Sequence, residues 1–237
     1  ERQREIESFI PEEYWTINIV FDQFVARLKS IGGELLFPEG KRKISNETEA
    51  NKLREILAVK KFTVSSFERK NVERQPFPPF ITSTLQQQAS INLGFSPSKT
   101  IWIAQQLYDG VLTDSGYVGI ITYMRSDSAR IAYYAIEMAR RYIAKMFGND
   151  YLPEKPRFYK SAALAQAAHE CIRPTSVDRT PEQLKEFLSD DQYKLYKLIW
   201  ARFVACQMRP AIYEYTTALL NADEFEAHAN GSLLKFD

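Results

Sequence analysis

Tyr123 and Arg125 directly follow a short apolar run, Ile120–Thr122, with Asp127 two residues further along. The run favours a β-strand, and because side chains alternate along a strand, Tyr123 and Arg125 should point to the same side, roughly 7 Å apart. A phenol hydroxyl beside a guanidinium group is suited to attack on a phosphodiester, since the cation can neutralise the phosphate. The spacing therefore predicts a phosphate-handling site with Tyr123 as its nucleophile.

A helix is predicted to begin immediately after these residues, over 127–147. Ser126, Asp127 and Ser128 are all favourable N-cap residues, and apolar side chains recur at helical spacing beyond them. The free N–H groups and the positive dipole end of this helix would form an anion site beside Tyr123. The residues expected to face the core from this helix are Ile131, Ala135, Met138, Tyr142 and Met146.

Simpler interpretations exist for each of these residues. The chain has 13 tyrosines, and most tyrosines pack with their hydroxyl group in water. Arg125 could be a surface arginine or part of a structural ion pair, and Asp127 could act only as a helix cap. Tyr123 is distinguished by the predicted phosphate site next to it, although no neighbouring residue is an obvious general base.

Four ordered runs resemble type IA DNA topoisomerases. ITYMRSDS (121–128) is similar to the signature in which the family's tyrosine becomes linked to a DNA 5′ phosphate; Ser126 replaces the usual Thr, and Met124 resembles the bacterial topoisomerase I branch. The resemblance extends from Ile10 to the C-terminal strands. The other matching runs are PFITSTLQQQAS (79–90), AHECIRPTS (168–176, with Cys171 for the usual Ala) and LYKLIWARFVACQM (195–208, with Cys206 where Ser is common).

The resemblance implies catalytic roles for Tyr123, Arg125, Asp127 and His169. Arg125 would stabilise charge on the scissile phosphate, Asp127 would orient neighbouring groups, and His169 would bind or transfer protons around the phosphate. The run that contains His169 is predicted to be helical and to end at Pro174. The predicted DNA-binding residues are Arg173, Gln87 and Ser126. Arg173 would contact DNA or brace the site.

Other polar and aromatic runs leave two interpretations open. Gln86–Gln88 could reach DNA, or Leu85 and Ala89 could pack this helix while the glutamines stay solvated. The basic run Lys41–Lys43 is either a solvated loop or a contact to the DNA backbone. His228 is expected to be structural, and a core stripe rather than a base-stacking platform is expected of Tyr193, Tyr196, Trp200 and Phe203.

Composition limits the class of protein. The 237 residues are 45% hydrophobic, enough for one or two folded units with cores. The net charge of +1 excludes a polycation that coats DNA, so DNA contacts must come from a local basic surface. The two cysteines form no disulfide framework, which fits a reducing cytoplasmic setting. No apolar run approaches the ~18 residues that span a membrane.

The predicted fold class is α+β. Strands are expected within 14–31, 62–75 and beyond Pro210, where Asn230-Gly231 would form a turn, and Asn46 should cap a helix over 47–59. We predict a discontinuous β-rich domain carrying an inserted, mainly helical domain, and the family's β-rich arch carries its tyrosine domain in the same way. The predicted limits are 15–81 with 210–237 for the β-rich domain, 82–209 for the helical domain, and 1–14 for the end of a neighbouring helical domain.

Within the helical domain, four further helices are expected. Thr82 or Ser83 would cap the first, and Pro97 and Gly110 would delimit the second. The adjacent acids Asp190 and Asp191 are interpreted as part of a helix cap rather than as metal ligands. The predicted ranges are 82–92, 97–109, 181–188 and 190–207.

As a function, the resemblance implies the strand gate of an ATP-independent topoisomerase. The enzyme would cleave one DNA strand through a 5′-phosphotyrosyl intermediate, pass a strand and religate, on the nucleoid of a bacterium. Magnesium would be held by an acidic TOPRIM domain largely outside this chain, so no metal is expected here. The chain starts without Met and ends abruptly, and we interpret it as an internal fragment that is inactive alone.

The expected partners are single-stranded DNA and the remaining domains of the same polypeptide. A fragment of this kind would expose the face where those domains dock, and that face could drive dimerisation. One alternative is a non-catalytic DNA clamp of the same fold. A tyrosine recombinase is a second alternative, and it would leave a 3′ rather than a 5′ phosphotyrosine.

Overall fold

The computed structural model describes residues 2–114, 116–160 and 169–236. The chain is a mixture of helices and an antiparallel sheet, which confirms the α+β class. It divides into two compact units: Glu1–Glu73 with Ile212–Asp237 form unit 1, and Arg74–Ala211 form unit 2. The divisions fall after Glu73 and Ala211, rather than after 81 and 209 as the sequence predicted, and unit 1 takes in the first 14 residues.

Unit 1 is built on a six-stranded sheet in the order β1-β2-β8-β7-β4, with β3 paired to β2. Helix α2 packs against this sheet through Ala50 and Leu57, which share a core with Leu28 and Phe225. Numbered in chain order, the helices of this part of the chain are α1 (Arg2–Glu7) and α2 (Glu47–Ala58), and the strands are β1 (Asn18–Val20), β2 (Val25–Ile31), β3 (Glu34–Leu35), β4 (Thr63–Arg74), β7 (Ala211–Ala222) and β8 (Phe225–Phe236).

Local sequence determines the ends of several unit 1 elements. The Asn46 side chain accepts a hydrogen bond from the backbone N–H of Glu49, as predicted for the start of α2. The predicted turn at Asn230-Gly231 is wrong, because both residues lie within β8. The chain turns instead at Asp223, whose φ of 52° is left-handed and whose carboxylate lies 2.6 Å from Lys60 Nζ.

Strands β4 and β7 carry the chain out of unit 1 and back into it. The Thr63 hydroxyl donates to the Asn221 carbonyl at 3.4 Å, and the Ser65 hydroxyl donates to the Leu219 carbonyl at 3.3 Å. These two contacts show that the strands are neighbours that run in opposite directions. Unit 2 is therefore an insertion between two adjacent strands of one sheet.

Several charged side chains of unit 1 are paired with each other. In the basic loop, Arg42 lies 3.5 Å from Glu34, and Lys43 is paired with Glu12. His228 lies 3.0 Å from Glu226, which fits the structural role expected of it. In the described part of the chain, no helix combines the length and apolar character needed to cross a membrane.

Unit 2 is mainly helical and has two hydrophobic clusters. One lies among α3, α4 and α7, and it contains Leu85 and Ala89, which are fully buried as predicted. The other lies between α5 and α7. The elements are α3 (Thr82–Leu93), α4 (Pro97–Asp109), α5 (Tyr133–Met146), α6 (Pro181–Leu184), α7 (Asp190–Ala205) and a two-stranded hairpin, β5 (Val111–Thr113) with β6 (Gly116–Val118).

Capping residues fix three of these helices. Ser96, Thr180 and Ser189 each accept a backbone hydrogen bond at the start of α4, α6 and α7. Asp190 and Asp191 thus belong to the first turn of a capped helix, as predicted. The aromatic stripe of α7 is confirmed as core: Tyr196 and Phe203 are fully buried, and Tyr193 and Trp200 pack against the clusters.

Candidate active site around Tyr123

Two extended segments of unit 2 lie side by side and carry the predicted site residues. The Thr122 N–H donates to the Arg173 carbonyl at 2.9 Å, and the Thr175 N–H donates to the Ile120 carbonyl at 2.9 Å. The Thr122 hydroxyl adds a bond to the Cys171 carbonyl at 2.7 Å. Residues about fifty positions apart in the sequence are thereby held in register.

This arrangement differs from the predicted secondary structure in two respects. The predicted strand Ile120–Thr122 is extended but makes only one isolated bridge, between Ile121 and Pro174. The predicted helix ending at Pro174 is wrong for 169–174, because Ile172 bridges Phe80 in an extended conformation. Ala168, the first residue of that run, lies outside the described residues.

Burial alternates along the segment that contains Tyr123. Met124, Ser126 and Ser128 are buried, with exposures of 0, 4 and 2%. Tyr123, at 37%, and Arg125 and Asp127 are exposed. Alternate side chains of this segment thus face solvent, Tyr123 and Arg125 among them, although the chain bends at Met124 and Arg125 instead of continuing as a strand.

Thr82 fixes this segment to the start of α3. Its hydroxyl lies 2.8 Å from the Met124 carbonyl and accepts the Ser126 N–H at 2.8 Å. Its own N–H donates to the Ser126 carbonyl at 2.8 Å. The prediction that Thr82 or Ser83 caps α3 is wrong, since the N-cap is Ile81. Thr82 is a site residue that the sequence interpretation missed, although it lies in one of the four matching runs.

Helix α5 does not begin where the sequence predicted. Its N-cap is Ala132, so the first helical residue, Tyr133, follows Tyr123 by ten positions. The Ser126 hydroxyl is used instead to bind the Glu170 carbonyl at 2.7 Å and to accept the Ser128 N–H at 3.1 Å. The predicted anion site at a helix N-terminus directly after Tyr123 is therefore wrong.

The apolar spacing predicted for this helix largely holds. Ala135 and Tyr142 of α5, and Ile131 just before it, are buried in the cluster beside α7, and Met138 packs against that cluster. Met146, the last residue of the helix, is 57% exposed, so its predicted core position is wrong.

Glu170 and Arg173 form a buried brace behind the site. Arg173 is 1% exposed and donates to both Glu170 carboxylate oxygens, to the Tyr134 hydroxyl and to the Pro174 carbonyl. Burial opposes the charge of Arg173, but the hydrogen bond and the charge of Glu170 outweigh it and raise the pKa of the guanidinium group. The bracing role predicted for Arg173 fits these contacts, whereas direct DNA contact does not.

Of the two other predicted DNA-binding residues, Ser126 has a buried side chain and Gln87 is exposed on α3. The Ser126 hydroxyl donates to the Glu170 carbonyl, and Ser126 is among the residues that line the cavity described next. Gln86 rather than Gln87 lines that cavity. The DNA contacts of Ser126 and Gln87 stay predictions.

Three of the four predicted catalytic residues, Arg125, Asp127 and His169, line an open cavity of about 400 Å³. Tyr123 is not part of that lining, but its ring lies next to the His169 ring with the centroids 5.7 Å apart, although 46 residues separate them in the chain. Arg125 contributes the cationic group expected beside a phosphate. The residues lining the cavity are Ile81, Thr82, Ser83, Gln86, Arg125, Ser126, Asp127 and His169.

The described residues were also compared with the requirements of a metal site. Over 2–114, 116–160 and 169–236, no three His, Cys, Asp or Glu side chains lie close enough together to hold a metal ion. Asp191 is paired with Lys99 at 2.7 Å.

Comparison with known proteins identifies the family. All 237 residues match the family model described as DNA topoisomerase. Proteins named DNA topoisomerase 1 from Rickettsia prowazekii and Campylobacter jejuni are 46% and 43% identical over 100% of this chain, which covers 31% and 34% of their lengths. The chain thus spans about a third of the curated relatives that it matches.

A solved structure agrees with the sequence comparison. The structure titled full-length topoisomerase I from Thermotoga maritima matches 100% of this chain and 36% of its own, with 40% identity and a TM-score of 0.80. The four ordered runs, the fold and the convergence of residues from three of these runs at one cavity agree with these matches. The chain belongs to the bacterial type IA DNA topoisomerase family.

Proposed function

We propose that this chain forms the strand-cleaving gate of an ATP-independent topoisomerase, with Tyr123 as the nucleophile. One observation carries the proposal: the Tyr123 ring lies against that of His169, and His169, Arg125 and Asp127 line one cavity. A nucleophile, a cation and a proton-carrying ring near one open space are the components that phosphoryl transfer requires.

The cleavage step transfers a phosphodiester from DNA to the protein. The Tyr123 oxygen attacks the phosphorus of one strand, the bond from phosphorus to the 3′ oxygen breaks, and that oxygen leaves as a hydroxyl after taking up a proton. The 5′ end remains on Tyr123 as a phosphotyrosine. Because a phosphodiester is exchanged for a phosphodiester, the 3′ hydroxyl can reseal the strand without ATP.

The neighbouring groups have separate roles in this step. Arg125 neutralises the scissile phosphate and the charge that develops on it. His169, whose ring contacts that of Tyr123, binds the phosphate or transfers protons near it. Asp127 lines the same cavity and orients these groups. Glu170 and Arg173 act indirectly, by fixing the segment that carries His169.

The intact enzyme needs more than this chain. We assign no step of this chain to a metal, and we propose that magnesium is held by ligands in other domains of the polypeptide. We infer that the partners are those domains and single-stranded DNA, and that the enzyme acts on the bacterial nucleoid. We expect the chain alone to be inactive in the relaxation of supercoiled DNA with magnesium.

An adduct assay tests the proposal. The chain is mixed with the separately expressed remaining domains, magnesium and a single-stranded oligonucleotide labelled at its 3′ end. The expected result is a labelled covalent adduct on this chain that Tyr123→Phe abolishes. A 5′-labelled oligonucleotide should give no labelled adduct, because its label leaves with the released fragment. A tyrosine recombinase would give the opposite pattern of labelling.

The assay also has an outcome that contradicts the proposal. If the pieces assemble and bind DNA without any adduct, the chain is a non-catalytic DNA clamp. Relaxation of supercoiled DNA by the chain alone would refute its expected inactivity while leaving the role of Tyr123 intact.

A further inference from the structure

The Tyr123 ring contacts a second aromatic ring besides that of His169. Tyr108, in the last turn of α4, meets it edge to face, with the ring centroids 5.4 Å apart and the planes at 65°. Tyr108 is 40% exposed and lies outside the cavity lining. Its position therefore calls for an explanation other than packing in the core or contact with the cavity.

The backbone holds Tyr108 and Tyr123 in a fixed relation. The Ile120 N–H donates to the Leu107 carbonyl at 2.8 Å, which joins the end of α4 to the segment leading to Tyr123. At Gly119, a Cβ atom would lie 2.5 Å from the Tyr108 carbonyl oxygen. The missing side chain of Gly119 therefore allows the two backbones to approach closely.

We propose that Tyr108 is a positioning residue for the nucleophile, and the proposal rests on the function proposed above. Tyr123 is partly exposed on extended backbone, where a side chain can populate more than one rotamer. An edge-to-face contact favours one of these orientations. Tyr108 from one element and His169 from another thus limit the directions in which the phenol oxygen points.

The ring of Tyr108, rather than its hydroxyl, performs this role. Removing the ring should lower the fraction of Tyr123 in the productive orientation, and with it the cleavage rate, by roughly 3- to 10-fold. The affinity for DNA should not change, because the substitution leaves in place the side chains that line the cavity, Arg125 and His169 among them. These expectations distinguish Tyr108 from a DNA-binding residue.

The kinetic test uses Tyr108→Ala, Tyr108→Phe and a matched control, Tyr117→Ala, which removes a more exposed tyrosine from β6. The reassembled protein is assayed for the single-turnover rate of adduct formation at saturating DNA and for DNA affinity. We expect Tyr108→Ala alone to slow cleavage, and Tyr108→Phe to restore it to within about twofold. The proposal would be overturned if Tyr108→Ala formed the adduct at the full rate, or if both Tyr108 variants lost the same fraction of that rate. It would also be overturned if Tyr108→Ala lowered the affinity for DNA instead of the rate.

A second readout needs no activity. Ring-labelled tyrosine spectra of the chain itself are recorded by NMR, with the Tyr123 signal assigned from Tyr123→Phe. Tyr108→Ala should shift that signal, because the ring current of the neighbouring ring is lost, whereas Tyr117→Ala should not. An unshifted signal in Tyr108→Ala would overturn the proposal. Absence of any adduct in the unmodified protein would count against the proposed function, and the spectra would still decide the role of Tyr108.

Discussion

Arg173 donates two hydrogen bonds to the Glu170 carboxylate, from Nε at 3.0 Å and from Nη2 at 2.8 Å. The same carboxylate accepts the Ala132 N–H at 3.2 Å, at the start of α5. The Glu170 carbonyl accepts the Ser126 hydroxyl at 2.7 Å. One residue next to His169 thus connects the Tyr123 segment, helix α5 and a buried guanidinium group.

Glu170→Ala should therefore lower the stability of unit 2 strongly. The substitution leaves the Arg173 charge buried without its partner, which costs about 3–5 kcal/mol in the free energy of unfolding. Urea unfolding followed by tryptophan fluorescence measures the change. Asp191→Ala is the control, because it breaks an ion pair of unit 2 whose side chains are 42% and 40% exposed; its loss should stay below about 1 kcal/mol. Similar losses in the two variants would contradict the bracing role.

Thr82→Val should slow adduct formation more than Thr82→Ser. Valine keeps the shape of the side chain but leaves the Ser126 N–H without its acceptor, at a cost of about 1–3 kcal/mol, and it frees the segment that carries Tyr123 and Arg125. Serine retains the hydroxyl group. The measurement is the single-turnover adduct rate at saturating DNA. If valine and serine gave equal rates, the hydrogen bonds of Thr82 would not position the site.

Gly119→Ala should destabilise unit 2, because its Cβ would lie 2.5 Å from a backbone oxygen that cannot move aside like a flexible side chain. The expected loss is about 1–3 kcal/mol in the free energy of unfolding. Gly231→Ala is the matched control, since no atom lies within 4 Å of the added methyl group. A loss in the Gly231 variant as large as that in the Gly119 variant would show that close approach is not the cause.

The stability of the chain should fall at alkaline pH, in part because of Tyr159. Its hydroxyl donates to the Cys206 carbonyl at 2.7 Å, and burial raises its pKa from 10.0 to about 12. Below pH 10 both states hold the proton, so stability does not depend on this group. Between pH 10 and about 12 the unfolded chain releases a proton that the folded chain keeps, so the free energy of unfolding decreases as pH rises.

Urea unfolding at several pH values across that range measures the decrease. The free energy of unfolding of Tyr159→Phe should fall less steeply with pH than that of the unmodified protein, and the two slopes should differ by at most about 1.4 kcal/mol per pH unit. The variant should also start about 1 kcal/mol lower, because it lacks the hydrogen bond. Some decline should remain, because burial also raises the pKa of Tyr196 and Cys206. Parallel curves for the two proteins would show that Tyr159 does not contribute.

Local sequence predicted those parts of the molecule that local contacts decide. The cap at Asn46 and the Pro97–Asp109 helix were predicted, because they depend on side chains that bind backbone groups three residues away or on residues that end a helix. The start of α5 could not be predicted in this way. Ser126 and Ser128 are good caps in isolation, but the Ser126 hydroxyl binds Glu170, which lies 44 residues further along. Nonlocal partners overrode the local preference.

Nonlocal contacts also limited what could be predicted of the site. Ordered motifs predicted which residues would form it, and the structure brings two of them, Tyr123 and His169, together. The burial of Arg173 depends on Glu170 and Tyr134, and the role of Thr82 depends on a segment 42 to 44 residues away. Contacts between distant parts of the chain leave no periodic pattern in the sequence of a single helix or strand.

The insertion between β4 and β7 makes the unit that carries the site a separable cassette. Its two ends leave one sheet from antiparallel neighbours, so a short turn could replace 75–210 and convert those strands into an ordinary hairpin with unchanged pairing. Conversely, a host sheet that offers two such strands could receive the cassette without a long linker. Exchange of this unit between relatives would then change the residues of the candidate site while leaving the sheet of unit 1 as it was.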